Sequence, residues 1–230
     1  MQEKNEKKSY QLLVLIATPK LTDKAADMFL KSAMPIQSRL NGEGTALSEM
    51  METLGFGGID KGILISTVPG DFGKAMLWKL HSELKLDTVN SGIAFTVPLT
   101  GASKIVANMM DHTSENSSEE DVRKGENAMS RTDHALIVAI VNRGFSGEVM
   151  DAARSAGAGG GTVIHSRSIG GEEAAGVWGL SAQEEKDLVL IIADIDDKVN
   201  IMKRIGETCG VNSKANGTVI SLPIDAVMGI

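Results

Sequence analysis

The spacing of apolar and polar positions divides the chain into a series of predicted elements. Two continuously apolar runs rich in β-branched residues, Leu12–Thr18 (LLVLIAT) and Leu136–Val141 (LIVAIV), read as strands. A helical pattern follows each, over Thr22–Ala33 and over Ser146–Ala156. Next comes a short strand with a glycine-bearing loop, PIQSRLNGEG in the first half and TVIHSRSIGGEE in the second. A buried strand then leads into an amphipathic helix, DKGILISTVPGDFGKAMLWKLHSEL in one half and EKDLVLIIADIDDKVNIMKRIGETC in the other. Each half closes on a strand containing proline, NSGIAFTVPL and ANGTVISLPI.

These segments align at steady offsets. Arg39 stands 128 positions before Arg167, while Lys61 and Lys186, Gly92 and Gly217, and Pro98 and Pro223 are all 125 apart. Ordered agreement of this kind indicates an internal repeat. Within each half the order β, α, β, β, α, β predicts a ferredoxin-like split βαβ sheet with helices on one face. The expected fold is therefore α+β, two tandem ferredoxin-like (βαββαβ) domains. In the last helix the expected inward stripe is Val199, Met202, Ile205 and Gly206, with Lys198, Lys203 and Arg204 in solvent; the first half offers Met76, Leu77 and Leu80. LLVLI (12–16) and LVLII (188–192) are apolar without alternation, as in strands buried on both faces. Helices cover only one face of such a sheet. The other must meet a second domain or a second chain, so a homo-oligomer is expected.

Between the halves, residues 111–133 (DHTSENSSEEDVRKGENAMSRTD) hold few apolar residues and a net charge of −4, more than half of the chain's −7. The stretch reads as a solvated acidic linker between domains at 10–110 and 134–230. Composition narrows the function classes. At 42% hydrophobic and 23% charged, the 230 residues can bury a core. An acidic balance and 3% aromatics argue against nucleic acid as a partner. No apolar run approaches the ~20 residues that span a bilayer. The charged start MQEKNEKKS lacks a signal-peptide pattern, and the single cysteine, Cys209, precludes disulfides within the chain. A cytoplasmic location is expected.

Few residues invite chemistry. The run AGAGGGTVIHSR (156–167) could cradle phosphate on backbone amides or could cap a helix with Gly157 in a left-handed conformation. Strand alternation puts Val163, His165 and Arg167 on one face, where His165 and Arg167 could bind an anion or His165 could serve as an interface residue. Its counterpart Gln37 retains hydrogen bonding without titration. The four histidines show no metal-ligand spacing, and Cys209 reads as a buried apolar side chain. No nucleophile motif or acid/base pair stands out, so no catalytic residue is assigned and no enzyme is expected. The loops Leu40–Ile59 and Ser168–Gln183 are long enough for recognition, and the second carries Glu172, Glu173 and Trp178. Trp178 could anchor a partner or fold back on its own domain.

The second half resembles the PII nitrogen-regulatory signalling proteins in GAGGGTVIHSR, the long loop after it, DLVLIIADID with its helix, and the NGTVISLP close. The likeness covers nearly all of 134–230, and the first half is similar to a more divergent copy. It implies trimers of ferredoxin-like domains, adenine nucleotides in clefts between domains, and a long loop reaching into a target protein. Carried over by position, Gly161 and Thr162 fall on the adenine side, with Gly160 beside them in the expected ligand-binding set, and Lys214, Asn216, Gly217 and Thr218 fall where the second phosphate loop lies. His165, Arg167 and their first-half counterparts Gln37 and Arg39 complete the expected ligand-binding set. Departures are visible: the family's Gly-Asp-Gly-Lys loop is Lys-Ala-Asn-Gly-Thr here, which puts Thr218 in place of the lysine. The Arg-Gln pair of the long loop is absent, as are loop tyrosines for uridylylation and the family's basic C-terminal tail.

The function expected is that of a PII-like signal-transduction protein in nitrogen regulation. It would sense a small molecule, ATP, ADP or AMP, with no metal site, and act through its loop on a transporter or an enzyme. The alternatives are a structural or metal-responsive trimer without nucleotide binding, and a small hydrolase.

Overall fold

A computed structural model describes residues 9–32, 34, 37–45, 59–88, 91–115, 133–167 and 185–229. Chain contacts divide it into two compact units. Unit 1 comprises Met1–Leu40, Gly62–Thr132 and Ile224–Ile230, and unit 2 comprises Asn41–Lys61 and Asp133–Pro223. The division does not follow chain order, because two short segments belong with the other half's residues.

Unit 1 is built from β1 (Tyr10–Ala17), α1 (Pro19–Lys31), the first part of β2 (Gln37–Gly44), most of β3 (Ile59–Pro69), α2 (Gly70–Leu84), β4 (Gly92–Leu99) and α3 (Lys104–Glu115). β1 lies between β3 and β4, antiparallel to both, with Leu15 opposite Leu64 and Ala94. Unit 2 holds β5 (His134–Asn142), α4 (Ser146–Ser155), β6 (Thr162–Arg167), β7 (Glu185–Asp194), α5 (Ile195–Cys209) and β8 (Thr218–Pro223). Its order is β8-β5-β7-β6, all antiparallel, and Ala139 faces Val189 and Val219. The equivalent residues of β3 and β7, and of β4 and β8, are 125 apart, as the aligned lysines and glycines predict. Both units have the βαββαβ order of the ferredoxin-like fold.

Alternation sends one set of side chains in each unit beneath the helices. In unit 1, Leu13, Leu15 and Ala17 pack with Phe29 of α1 and with Met76, Leu77 and Leu80 of α2. The stripe predicted for α2 is therefore the buried one. In unit 2, Ile137, Ala139 and Val141 pack with Val149, Met150 and Ala153 of α4 and with Ile201, Ile205 and Cys209 of α5. The stripe expected for α5 needs correction. Val199 is 68% exposed and Gly206 is exposed, whereas Ile201, Ile205 and Cys209 are buried at i, i+4 and i+8, with Met202 partly so. The helix is rotated so that Ile201, Ile205 and Cys209 face the core, leaving Ile195 and Val199 exposed.

The two continuously apolar strands differ. β1 is buried on both faces from Leu13 to Ala17. In β7, Asp187, Val189, Ile191 and Ala193 are buried, while Lys186, Leu188, Leu190 and Ile192 remain half-buried. Ile220 and Leu222 of β8 lie on that same open face at 50% and 39% exposure, opposite Val138 and Leu136.

Two elements had no sequence expectation. α3 covers 104–115 and so enters the first residues of the stretch read as a linker; the remainder of that stretch, 116–132, lies outside the described residues. Met110 of α3 is fully buried, and Tyr10 Oη donates to Asp111 Oδ1 at 3.3 Å. β9 (Ala226–Met228) extends unit 1 by pairing antiparallel with β4. No helix of the described residues is long and apolar enough to cross a membrane.

Candidate ligand-binding site

One end of the unit 2 sheet gathers most of its polar side chains. There β5 ends at Asn142, β6 ends at Arg167, β7 begins at Glu185, and the turn before β8 runs through Lys214, Asn216 and Gly217. A cleft of ≈440 Å³ opens at this end, lined by Arg143, His165, Ser166, Arg167 and Glu185.

Its organising pair is His165 and Asp187, directly opposite each other on β6 and β7. The Asp187 side chain is 1% exposed, and its Oδ1 lies 2.7 Å from His165 Nδ1. The backbone N–H of Gly144 donates to the other oxygen, Oδ2, at 3.0 Å. A carboxylate buried this deeply needs such donors, since desolvation without them is costly. The hydrogen bond that His165 donates to Asp187, opposed by burial and aided by the nearby Asp187 and Glu43 charges, raises the His165 pKa above its ordinary value. Nε2 of His165 faces Glu43 Oε1 at 3.5 Å. Glu43 stands at the end of β2, which pairs with β6 through Glu43–Val163 and Gly44–Thr162.

Around this pair the charges are arranged in couples. Arg143 Nη1 contacts Glu185 Oε2 at 3.0 Å. Lys186 Nζ donates to Asn142 Oδ1 at 2.5 Å, and burial lowers the pKa of that lysine. Asn142 in turn holds the next turn in place: its N–H donates to the Ala215 carbonyl and its Nδ2 to the Lys214 carbonyl, at 2.8 and 3.1 Å. Asn216 takes a left-handed φ of 44°, and Gly217 N–H donates to the Cys209 carbonyl at 2.8 Å. A Cβ on Gly217 would stand 2.3 Å from that carbonyl oxygen, so this position tolerates only glycine.

Of the residues singled out from the sequence, the structure therefore brings His165, Arg167, Lys214, Asn216 and Gly217 to one end of the sheet. Gly160, Gly161 and Thr162 lie at the opposite end of β6. Gly161 and Arg167 are six residue steps apart along the strand, roughly 20 Å at the usual rise per residue. Both members of the pair in unit 1 have local partners: Gln37 Nε2 donates to the Met34 carbonyl at 3.3 Å, and Arg39 pairs with Asp23 of α1.

The glycine-rich run closes α4. Gly157 has φ 104°, its N–H donates to the Arg154 carbonyl, and Ala158 N–H donates to the Ala153 carbonyl. These are the two bonds of a Schellman cap, so those amides are already used. Gly161 N–H donates to Thr45 Oγ1 at 2.8 Å. Cys209 is buried, and burial together with the Glu148 charge raises its thiol pKa, as befits an inert core residue. Among the described residues no group of three or more His, Cys, Asp or Glu could hold a metal ion.

Asp187, Glu43, Arg143 and Glu185 were not foreseen. Asp187 carried a signal: it is in phase with Val189, Ile191 and Ala193, which marks it as a carboxylate on the buried face. Glu43 carried none, because its approach to His165 depends on a long-range strand pairing. The long loop at 168–183, with Glu172, Glu173 and Trp178, lies outside the described residues, as does most of Leu40–Ile59.

No protein-family model matches the chain, and no curated protein matches it in sequence. Solved structures with partial similarity include Arabidopsis thaliana PII bound to citrate, at 20% identity and a TM-score of 0.32, covering 41% of this chain and 77% of that one. The divalent ion tolerance protein CutA1 from Ehrlichia chaffeensis aligns at 9% identity and a TM-score of 0.36, over 49% of this chain and 100% of its own. A microcompartments protein from Desulfitobacterium hafniense covers 94% of each chain at 10% identity and a TM-score of 0.28. At these scores no functional argument rests on the likeness. The ferredoxin-like assignment stands on strand order and register.

Proposed function

We propose that this chain is a PII-like regulator whose second unit binds a small anionic molecule in the cleft of Arg143, His165, Ser166, Arg167 and Glu185. The observation that carries the reading is the convergence of two arginines and an imidazole of raised pKa on one cleft of ≈440 Å³, a volume suited to a metabolite. Asp187 anchors the imidazole from below and favours its charged form, which supports binding of phosphate or carboxylate. The Lys214–Gly217 turn, fastened to Asn142, supplies further polar groups at the same end. An adenine nucleotide, ATP, ADP or AMP, is the ligand proposed, in keeping with the resemblance read from the sequence.

The cleft sits at the end of β6, where residues 168–184 begin. Ligand binding there would alter the affinity of that segment for a protein target, a transporter or an enzyme, by a coupling of ~1–3 kcal/mol. The role is regulatory and not catalytic. Assembly as a homo-oligomer, a trimer, is proposed on the strength of the half-buried Leu188, Leu190 and Ile192 beside Ile220 and Leu222. The cytoplasm is the compartment that suits this role.

Thermal-shift titrations with ATP, ADP and AMP, with and without Mg²⁺ and 2-oxoglutarate, test the reading. A ligand at 100-fold its Kd stabilises by ~2.7 kcal/mol. Arg167→Ala should abolish the shift. An unchanged shift in that variant would place the ligand elsewhere, and a flat panel would remove the nucleotide from the proposal.

A further inference from the structure

At the far end of β6 from that cleft, two donors of the kind that hold oxyanions converge on a single residue of the same unit. Gly161 N–H donates to Thr45 Oγ1 at 2.8 Å, and Arg154 Nη2 donates to the Thr45 carbonyl. Thr45 returns two bonds, from its N–H and its hydroxyl to the Gly161 carbonyl, both at 2.9 Å. Arg154 also faces Asp151 Oδ1 at 3.7 Å and keeps 40% of its side chain exposed. We propose that Gly161 N–H and the Arg154 guanidinium form a phosphate-class oxyanion subsite, occupied at rest by the oxygens of Thr45.

The physical case rests on what each partner offers. A backbone amide at the end of a glycine-rich run and a guanidinium both bind charged oxygen more strongly than neutral oxygen, by about twofold in hydrogen-bond strength. Thr45 offers only neutral oxygens. Glycine is fixed at 161 by packing on its other side, where a Cβ would stand 2.8 Å from Met150 Sδ and 3.0 Å from the Leu190 carbonyl. An entering oxyanion takes over both donors and leaves Thr45 tied to Gly161 only through the Gly161 carbonyl. The Glu43–Val163 and Gly44–Thr162 pairing adjoins that contact, so occupancy of the subsite also loosens the end of β2 and the Glu43 contact with His165. Thr45 thus competes with the ligand. The proposal goes beyond the cleft at Arg167 and does not depend on it.

Inorganic phosphate titrated into the full chain, followed by the Gly161 amide resonance and by calorimetry, tests it. Thr45→Ala removes the competing hydroxyl and opens room beside the amide. Its phosphate affinity should rise about tenfold, as for removal of a competing state populated ten to one. Thr45→Ser keeps the hydroxyl and should titrate as the unaltered chain does. Arg154→Gln added to Thr45→Ala should cancel the gain, whereas Arg167→Ala added to it should leave the gain intact. The proposal is overturned if Thr45→Ala binds no tighter, if Thr45→Ser gains equally, or if the gain survives Arg154→Gln. Loss of the gain with Arg167→Ala would also overturn it, by moving the phosphate to the other cleft without touching the case for a ligand there.

Discussion

Asp187 Oδ1 lies 2.7 Å from His165 Nδ1, and in unit 1 neither residue has a counterpart able to form the pair. Asp187 faces Val141 as Gly62 faces Ala17, and at an offset of 128 the place of His165 is taken by Gln37. A Cβ on Gly62 would fall 2.3 Å from Thr22 Oγ1, so no side chain fits where unit 2 carries its carboxylate. The two units share a fold and differ in this pair, which locates titratable chemistry in unit 2.

Replacing Asp187 by asparagine keeps the shape and removes the charge and the strong acceptor. The His165 pKa should fall, because the Asp187 hydrogen bond is the largest cause of its elevation. An NMR titration of the imidazole reads this directly. An unchanged midpoint would mean that Asp187 does not set the protonation of the ring.

The same pair gives stability a pH dependence with a defined sign. The folded pKa of His165 is raised above its unfolded value of 6.5, so the folded state binds the proton more tightly. The contribution is fully present below about 6.5 and is lost as pH rises through the folded pKa. Urea midpoints measured across that range should decline in the unaltered chain and decline less in His165→Gln. Equal slopes in the two proteins would exclude His165 as the source.

The rotation of α5 predicts unequal costs along one helix. Ile205→Ala, at a fully buried site, should destabilise by roughly 2–5 kcal/mol. Val199→Ala, at 68% exposure, should stay within about 0.5 kcal/mol. Chemical denaturation of both variants decides between the observed stripe and the one expected from periodicity; a larger loss at Val199 would favour the latter.

Gly217 sits among the candidate ligand residues, yet its contacts point to a steric role. Gly217→Ala drives a Cβ into the Cys209 carbonyl and should cost about 1–3 kcal/mol. The cost should appear in thermal denaturation without any ligand present. A variant of full stability that loses only ligand binding would make Gly217 a contact residue instead.

The open face of unit 2 can be tested by charge. Ile220→Glu with Leu222→Glu introduces two carboxylates on an apolar patch and should lower the mass measured by sedimentation to that of a single chain. An unchanged assembly would place the oligomer contact elsewhere.

Local spacing along the chain determined the βαββαβ order in both halves, the α2 stripe and the placing of His165 and Arg167 on one strand face. These features follow from periods of two and 3.6 residues, which any short window contains. Even the Schellman cap at Gly157 was readable as one of two options, since it involves only neighbours in sequence. Tertiary structure alone decided which apolar residues of α5 face inward, because both stripes satisfy the helical period and only packing against β5 and β7 separates them. It alone returned Ala226–Met228 to β4, and it alone brought Glu43 to His165 and Thr45 to Gly161. These contacts span more than 100 residues, and no local pattern encodes which distant strand edge supplies the missing hydrogen bonds.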